Sequence, residues 1–347
     1  MPSREAVLEA LGRVIDPELQ RPVTELDMVR AVEIDGGQVV VTIALTVAGC
    51  PLRSSFEDQV RREVATLDGV EEVHLGFDVM TPDERQALTE KLRGSVSGRS
   101  KGLSLDASTR VLAVCSGKGG VGKSTVTASL AVALLEQGDR VGILDADIYG
   151  HSIPHLLGIN QKPIAVDKMI VPPVKNGLKL MSIGFFLDDN QPVMWRGPML
   201  HRALEQFLSD VHWGELDVLV VDMPPGTGDV AISLGQLLPR AEVIVVTTPQ
   251  PAAQEVAARA ALMAQKTSMR LLGVVENMTG DVFGSGGGER LALELGVPLL
   301  GSIPLDPLLR EAGDAGDPLV TQEIAAIAER VGKAQPGGIV KPLTVVS

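Results

Sequence analysis

Three features of the sequence predict an α/β chain in two parts, a small α/β domain followed by a larger domain built on a parallel sheet. First, seven apolar runs, VLAVCS, RVGILDAD, LKLMSI, LDVLVVDMPP, AEVIVVTT, LLGVVENM and PLLGSI, alternate with helical stretches from residue 109 to 332. Near-continuous Val, Ile and Leu runs separated by helices belong to strands buried on both faces, as in a parallel sheet covered by helices. Second, residues 93–108, RGSVSGRSKGLSLDAS from Arg93, lose apolar periodicity and gain Ser, Gly and Arg, the composition of a linker. Third, 347 residues exceed what one typical core organises.

The elements of the first domain, residues 1–92, follow in order. Val7, Leu8, Leu11, Val14 and Ile15 recur at helical spacing behind Ser3, a suitable N-cap, which predicts a helix over 3–15. GGQVVVTIALTV alternates and is rich in β-branched residues, so 36–47 reads as a strand followed by the turn-like AGCP. SSFEDQVRREVATL reads as a helix and VEEVHLGFDVM as a strand. At the other end, 333–347 carries two prolines and a Gly pair without helical periodicity and is expected to be a loose tail.

Charge and composition exclude several function classes. With 31 basic residues against 44 acidic ones the formal charge is -13, a field that repels a phosphate backbone, so nucleic acid is not an expected partner. No apolar run approaches the roughly 18 to 20 residues of a membrane span, and MPSREAVLEALGRVIDPEL fits neither a secretion signal nor a transit peptide. A cytoplasmic protein without membrane attachment is expected. Two cysteines, Cys50 and Cys115, make no disulfide scaffold.

The chemistry is announced after the first strand of the larger domain. Gly117 to Ser124 fits GxxxxGK[ST], placed between a strand and the helical TVTASLAVALLEQ. Glycines let backbone N–H groups turn inward around phosphate oxygens, and the helix N-terminus adds its positive end. Lys123 would reach the outer phosphates of a nucleotide and the Ser124 hydroxyl would bind Mg²⁺. Asp222 ends LDVLVVD, where a carboxylate holds Mg²⁺, and Asp145 and Asp147 end another strand. Ligands of open α/β sheets lie at the carboxyl ends of strands, so these segments should converge on one crevice.

Lys118 is surplus to a minimal phosphate loop. KGGVGKST resembles the deviant phosphate-loop signature of the MinD, ParA and nitrogenase iron protein class, whose fold is implied here. That resemblance implies a homodimer in which Lys118 reaches the other subunit's nucleotide, as an arginine finger does. DADIYGHSIPHLLG, MWRGPMLHRALEQFL, DVLVVDMPPGTGD, VTTPQ and VENM together resemble the Mrp/ApbC family of iron-sulfur cluster carrier ATPases. DPEL and AGCP in the first ninety residues resemble the small domain that precedes many bacterial members. The resemblance implies that Gly117, Lys118, Gly119, Gly120, Val121, Gly122, Lys123, Ser124 and Thr125 cradle the phosphates and that Asp147 orients or activates water. It implies further that Ser124, Asp145 and Asp222 manage Mg²⁺ and that Asn277 faces the adenine, a turn or cap role for Asn277 being equally open. His151 stands where the family pattern has proline.

One departure concerns the cargo. Family members that bind a cluster between subunits carry a CxxC pair after the ENM segment, whereas here ENMTGDVFGSGGGERLALE holds no cysteine. Two thiolates from each of two subunits would make the usual four ligands, and this chain cannot supply them from that loop. Cys115 ends an apolar strand and reads as a small buried hydrophobe, which leaves Cys50, in a Gly-Cys-Pro turn, as the candidate iron-sulfur ligand. The expected function is ATP-dependent carriage or assembly of clusters as a nucleotide-controlled dimer, with iron-sulfur apoproteins and assembly proteins as partners. A metal-free ATPase adaptor is the alternative. A positioning ATPase of the MinD or ParA kind ranks below both, because the tail carries only Lys333 and Lys341 and the charge is acidic.

Overall fold

The computed structural model describes residues 2–47, 53–94, 105–148, 150–187 and 197–334. Cys50, most of the expected linker and all but two residues of the expected tail lie outside these. The chain forms two compact units, one of residues 1–98 together with 164–172, the other of the remainder.

In the first unit, α1 (Arg4–Leu11) starts where the Ser3 hydroxyl accepts the Ala6 N–H at 3.1 Å. It stops earlier than its apolar spacing suggests: the Arg13 and Val14 N–H groups turn to the carbonyls of Ala10 and Leu11, which leaves Val14 buried but outside the helix. Strands β1 (Val29–Asp35), β2 (Gln38–Leu45) and β3 (Glu72–Val79) form one sheet in that order. β1 pairs antiparallel and β3 parallel to β2. Helices α2 (Arg53–Val64) and α3 (Pro82–Gly94) complete the segment, burying Phe56, Val60 and Val64 from one and Leu88 and Leu92 from the other.

The second unit begins with β4 (Arg110–Ser116), α4 (Lys123–Glu136), β5 (Val141–Asp145) and the short α5 (Ile153–Leu156). The chain then enters the first unit as a hairpin of β6 (Ile164–Val166) and β7 (Met169–Val171), bounded by Pro163 and by Pro172 and Pro173. Val166, Met169 and Val171 are buried in that unit's core, and the Thr89 hydroxyl donates to the Val166 carbonyl at 3.3 Å. After the hairpin come β8 (Val174–Lys175), β9 (Leu178–Ser182), α6 (Gly197–Ser209), β10 (Val218–Asp222), α7 (Asp229–Leu237) and β11 (Glu242–Thr247). The unit ends with α8 (Pro251–Lys266), β12 (Arg270–Thr279), α9 (Gly287–Leu295), β13 (Leu299–Pro304), α10 (Pro307–Asp314) and α11 (Gln322–Lys333).

Its sheet has eight strands in the order β13-β12-β11-β4-β10-β5-β9-β8, parallel throughout except for β8. β5, β9, β10 and β11 are buried along their whole length, as apolar runs without alternation require. α4 is apolar nearly all round and lies in the core, where Val126, Leu130 and Leu134 pack among β4, β5 and β10. Ala253, Ala257, Ala260, Ala261 and Ala264 give α8 a flat buried face that admits close neighbours. Among the described residues no helix is long and apolar enough to cross a membrane.

Candidate nucleotide site

The strand order places the catalytic candidates before any side chain is considered. β10 lies between β4 and β5, and its last residue, Asp222, stands opposite Val114 on one side and Asp145 on the other. β4 runs on into the loop at Gly117 and α4 begins at Lys123, so the loop and both carboxylates meet at the carboxyl ends of three neighbouring strands. The loop is pressed against α8: a Cβ on Gly117 would lie 2.1 Å from the Val256 carbonyl carbon, which no side chain could tolerate.

A crevice of about 770 Å³ opens there, lined by the loop, Asp147, His155, Pro224 and Asp314 among others. At its floor Lys123 Nζ donates to Asp222 at 2.6 Å and to the Ser124 hydroxyl at 3.2 Å, and lies 3.6 Å from Asp147. The Ser124 and Thr127 hydroxyls each donate to Asp222 at 2.7 Å. Asp145 accepts from the Ser182 hydroxyl at 2.9 Å and from the Asp147 N–H at 3.2 Å. Burial, reinforced by the neighbouring Asp222 carboxylate, pushes the Asp145 carboxyl up to about 7. Lys118 is exposed on the crevice rim, and among the described residues its ammonium has no ion-pair partner.

Three buried carboxylates thus face one ammonium. The surplus of negative hard-oxygen donors, with a hydroxyl beside them, fits Mg²⁺ held by Ser124 and Asp222 with Asp145 behind. Thr127 and Ser182, which the sequence did not single out, orient Asp222 and Asp145. Thr127 lies one helical turn after Lys123, and Ser182 pairs in register with Asp145, signals that only a known strand order makes legible.

Asn277 occupies the end of β12, 6% exposed, with its amide donating to the Val121 carbonyl at 2.9 Å. Its neighbour Glu276 is buried and accepts the N–H groups of Gly286, Gly287 and Gly288 at 3.2, 2.7 and 3.0 Å, and the Ser302 hydroxyl at 3.2 Å. It therefore anchors the cysteine-free loop after ENM to the start of α9. Cys115 is buried at the end of β4, where desolvation pushes its thiol up to about 12 despite the nearby Lys123. The described residues contain no group of three or more His, Cys, Asp and Glu side chains arranged to hold a metal.

Residues 107–334 match the family of NUBPL iron-transfer P-loop NTPases, and residues 4–75 match that of iron-sulfur cluster assembly proteins. An iron-sulfur cluster carrier protein of Mycobacterium leprae is 53% identical over 91% of this chain and 87% of its own length. One from Synechocystis is 42% identical over 98% of this chain and 100% of its own. Among solved structures, a nucleotide-binding protein of Archaeoglobus fulgidus in complex with ADP has 40% identity and a TM-score of 0.53, over 60% of this chain and 86% of that one. The septum site-determining protein MinD of Pyrococcus horikoshii, complexed with Mg-ADP, has 26% identity and a TM-score of 0.51, over 65% and 96%. Because that match spans about two thirds of its length, the chain belongs to the NUBPL iron-transfer P-loop NTPase family.

Proposed function

We propose that this protein is an ATP-hydrolysing carrier or assembly factor for iron-sulfur clusters, acting in the cytoplasm as a homodimer whose grip on its cargo follows the nucleotide. The observation that carries the reading is the convergence of Lys123, Ser124, Asp145, Asp147 and Asp222 on the loop 117–125. Curated relatives named iron-sulfur cluster carrier proteins, covering nearly the whole chain, support the cargo.

On this reading Lys123 exchanges Asp222 for the outer phosphates of ATP, and the N–H groups from Gly117 to Thr125 take the remaining oxygens. Ser124 and Asp222, with Asp145 behind them, would hold Mg²⁺, which neutralises charge on the phosphates when bound. Asp147 orients the attacking water. Lys118, free on the rim, crosses to the nucleotide of a second copy. Lys118→Ala should then bind ATP about as well as wild type while hydrolysis falls by about 10³-fold, the scale of an arginine finger. Unchanged turnover would remove the cross-subunit role.

The cluster is cargo, and its ligands come from few cysteines. The loop after ENM has no cysteine and the Cys115 thiol is sealed, so one Cys50 from each subunit would supply half a cluster's protein ligands, the rest coming from a small thiol or the apoprotein client. Anaerobic reconstitution tests this: iron and sulfide bound by wild type and lost in Cys50→Ala support carriage, and none bound by either sinks it for the isolated protein. That second outcome would favour a metal-free ATPase adaptor that recruits clients, a reading supported by the cysteine-free loop. Neither nucleic acid nor membrane enters either reading.

A further inference from the structure

We propose that Asn277 is a positioning residue that sets the phosphate loop for any polyphosphate, and that it does not read the base. The inference rests on the nucleotide reading above but concerns a contact that reading does not use. Asn277 Nδ2 donates to the carbonyl of Val121, inside the loop. In a trans peptide the C=O of one residue and the N–H of the next point in opposite directions. Holding the Val121 carbonyl against Asn277 therefore turns the Gly122 N–H away from β12, toward the crevice that Gly122 lines. A flip of that peptide, which would present a carbonyl to the phosphates, must first break the amide hydrogen bond.

Two further observations make this a built contact. Gly122 has φ +80, and a Cβ there would lie 2.2 Å from Asn277 Nδ2, so the loop approaches the amide as closely as only glycine allows. Asn277 is also aimed from a fixed base. The adjacent Glu276 carboxylate takes three backbone N–H groups and the Ser302 hydroxyl, and Asn277 itself pairs with Ile303 of β13. The end of β12 is thereby locked, and the amide with it.

The test uses the full chain, with binding of ATP, GTP and inorganic tripolyphosphate measured by calorimetry and folding checked by circular dichroism. Asn277→Ala should weaken all three by the same factor, about tenfold for one buried hydrogen bond, leaving the ATP to GTP ratio unchanged. Weaker ATP binding with tripolyphosphate unaffected, or a changed ATP to GTP ratio, would overturn the clamp in favour of base recognition. Asn277→Asp adds a readout that packing alone would not move. Near pH 8 its carboxylate offers the Val121 carbonyl no proton, whereas near pH 5 the protonated acid of a buried site donates again. Tripolyphosphate binding by the Asp variant, taken relative to wild type, should recover several-fold on acidification and that of the Ala variant should not. Equal behaviour of the two variants overturns the hydrogen-bond mechanism. A wild type that binds all three ligands but never hydrolyses ATP would overturn the hydrolytic reading and leave the clamp standing; a wild type that binds none overturns both.

Discussion

The two ends of the eight-stranded sheet both bury charge, in opposite proportions. At the amino end the Glu242 carboxylate, opening β11, is 5% exposed and pairs with two guanidiniums, Arg110 of β4 and Arg270 of β12, the latter at 3.0 Å. Arg110 also donates to the Val331 carbonyl of α11. At the carboxyl end, among the described residues, the Lys123 ammonium pairs with Asp222 and Asp147, and Asp145 stands opposite Asp222. One carboxylate between two cations ties four elements together, although Nη2 of Arg110 stays buried without a hydrogen-bond partner. Three carboxylates around one cation, beside an open crevice, leave a deficit that a divalent ion can fill. Burial of charge alone does not mark a functional site; imbalance of buried charge next to a cavity does.

The sharpest way to break the comparison is to remove the minority charge at each end. Lys123→Ala takes away the cation that, among the described residues, pairs with these carboxylates and the group that would meet the outer phosphates, so ATP affinity should fall by about 10²-fold or more in calorimetry. A variant that still binds within a few-fold would show that the loop N–H groups suffice. Glu242→Ala removes the buried carboxylate between Arg110 and Arg270 and leaves Arg110 buried without its ion-pair partner. Urea unfolding should register a loss of about 3–5 kcal/mol, with ATP affinity within about twofold of wild type. A fall in affinity comparable to that of Lys123→Ala would mean that the ends are coupled and the distinction is wrong.

Much of the carboxyl end was legible in the sequence because its parts sit at strand ends. Apolar runs without alternation announced the parallel strands, and the last polar residue of each had to emerge on the same edge, so Asp145, Asp147 and Asp222 could be placed beside the loop without coordinates. The amino-end network was not legible. Arg110, Glu242 and Arg270 open three strands that become neighbours only through the order β4-β11-β12, which no spacing encodes. The same holds for the Asn277 to Val121 contact, which spans 156 residues of chain. In the first unit β1 escaped notice because VRAVEID is only partly buried along its length. α3 escaped because its polar PDERQALTEKLRG shows few apolar positions besides Leu88 and Leu92. The hairpin of β6 and β7 reads as a proline-bounded loop, and only tertiary packing in the first unit's core makes its three-residue strands regular.

A neutral residue at the carboxyl end sharpens the charge argument. Cys115 follows three buried residues of β4 and adjoins the loop, yet burial holds its thiol at about 12. A metal-binding or alkylating chemistry needs the thiolate, so proximity to Lys123 should confer no reactivity. Under native conditions near pH 8, peptide mass spectrometry should find Cys115 unmodified by iodoacetamide over a period in which the unfolded chain reacts fully. Cys115→Ala should leave reconstituted iron unchanged; a loss of iron would make this cysteine a ligand.

The smallest expected effect belongs to an exposed pair at the amino end. Arg140 donates to Asp217 through its backbone N–H, Nε and Nη2 at 2.9, 2.9 and 2.8 Å, and these bonds hold the Asp217 carboxyl down at about 2, below its ordinary 3.8. A depressed carboxyl contributes stability that is present above the unfolded value and is lost as pH falls through the folded one. The difference in unfolding free energy between wild type and Asp217→Asn should accordingly be constant above about pH 5 and shrink toward zero near pH 2. Its plateau should be small. Both side chains are about half exposed, 53% and 42%, and solvent screens such a pair to about 1 kcal/mol or less even with multiple hydrogen bonds. Added salt should reduce it further while leaving the Glu242→Ala loss nearly intact, since a buried pair is screened far less. If both losses respond to salt alike, then burial does not separate the two networks, and the contrast between a sealed end and an open one must be drawn from geometry alone.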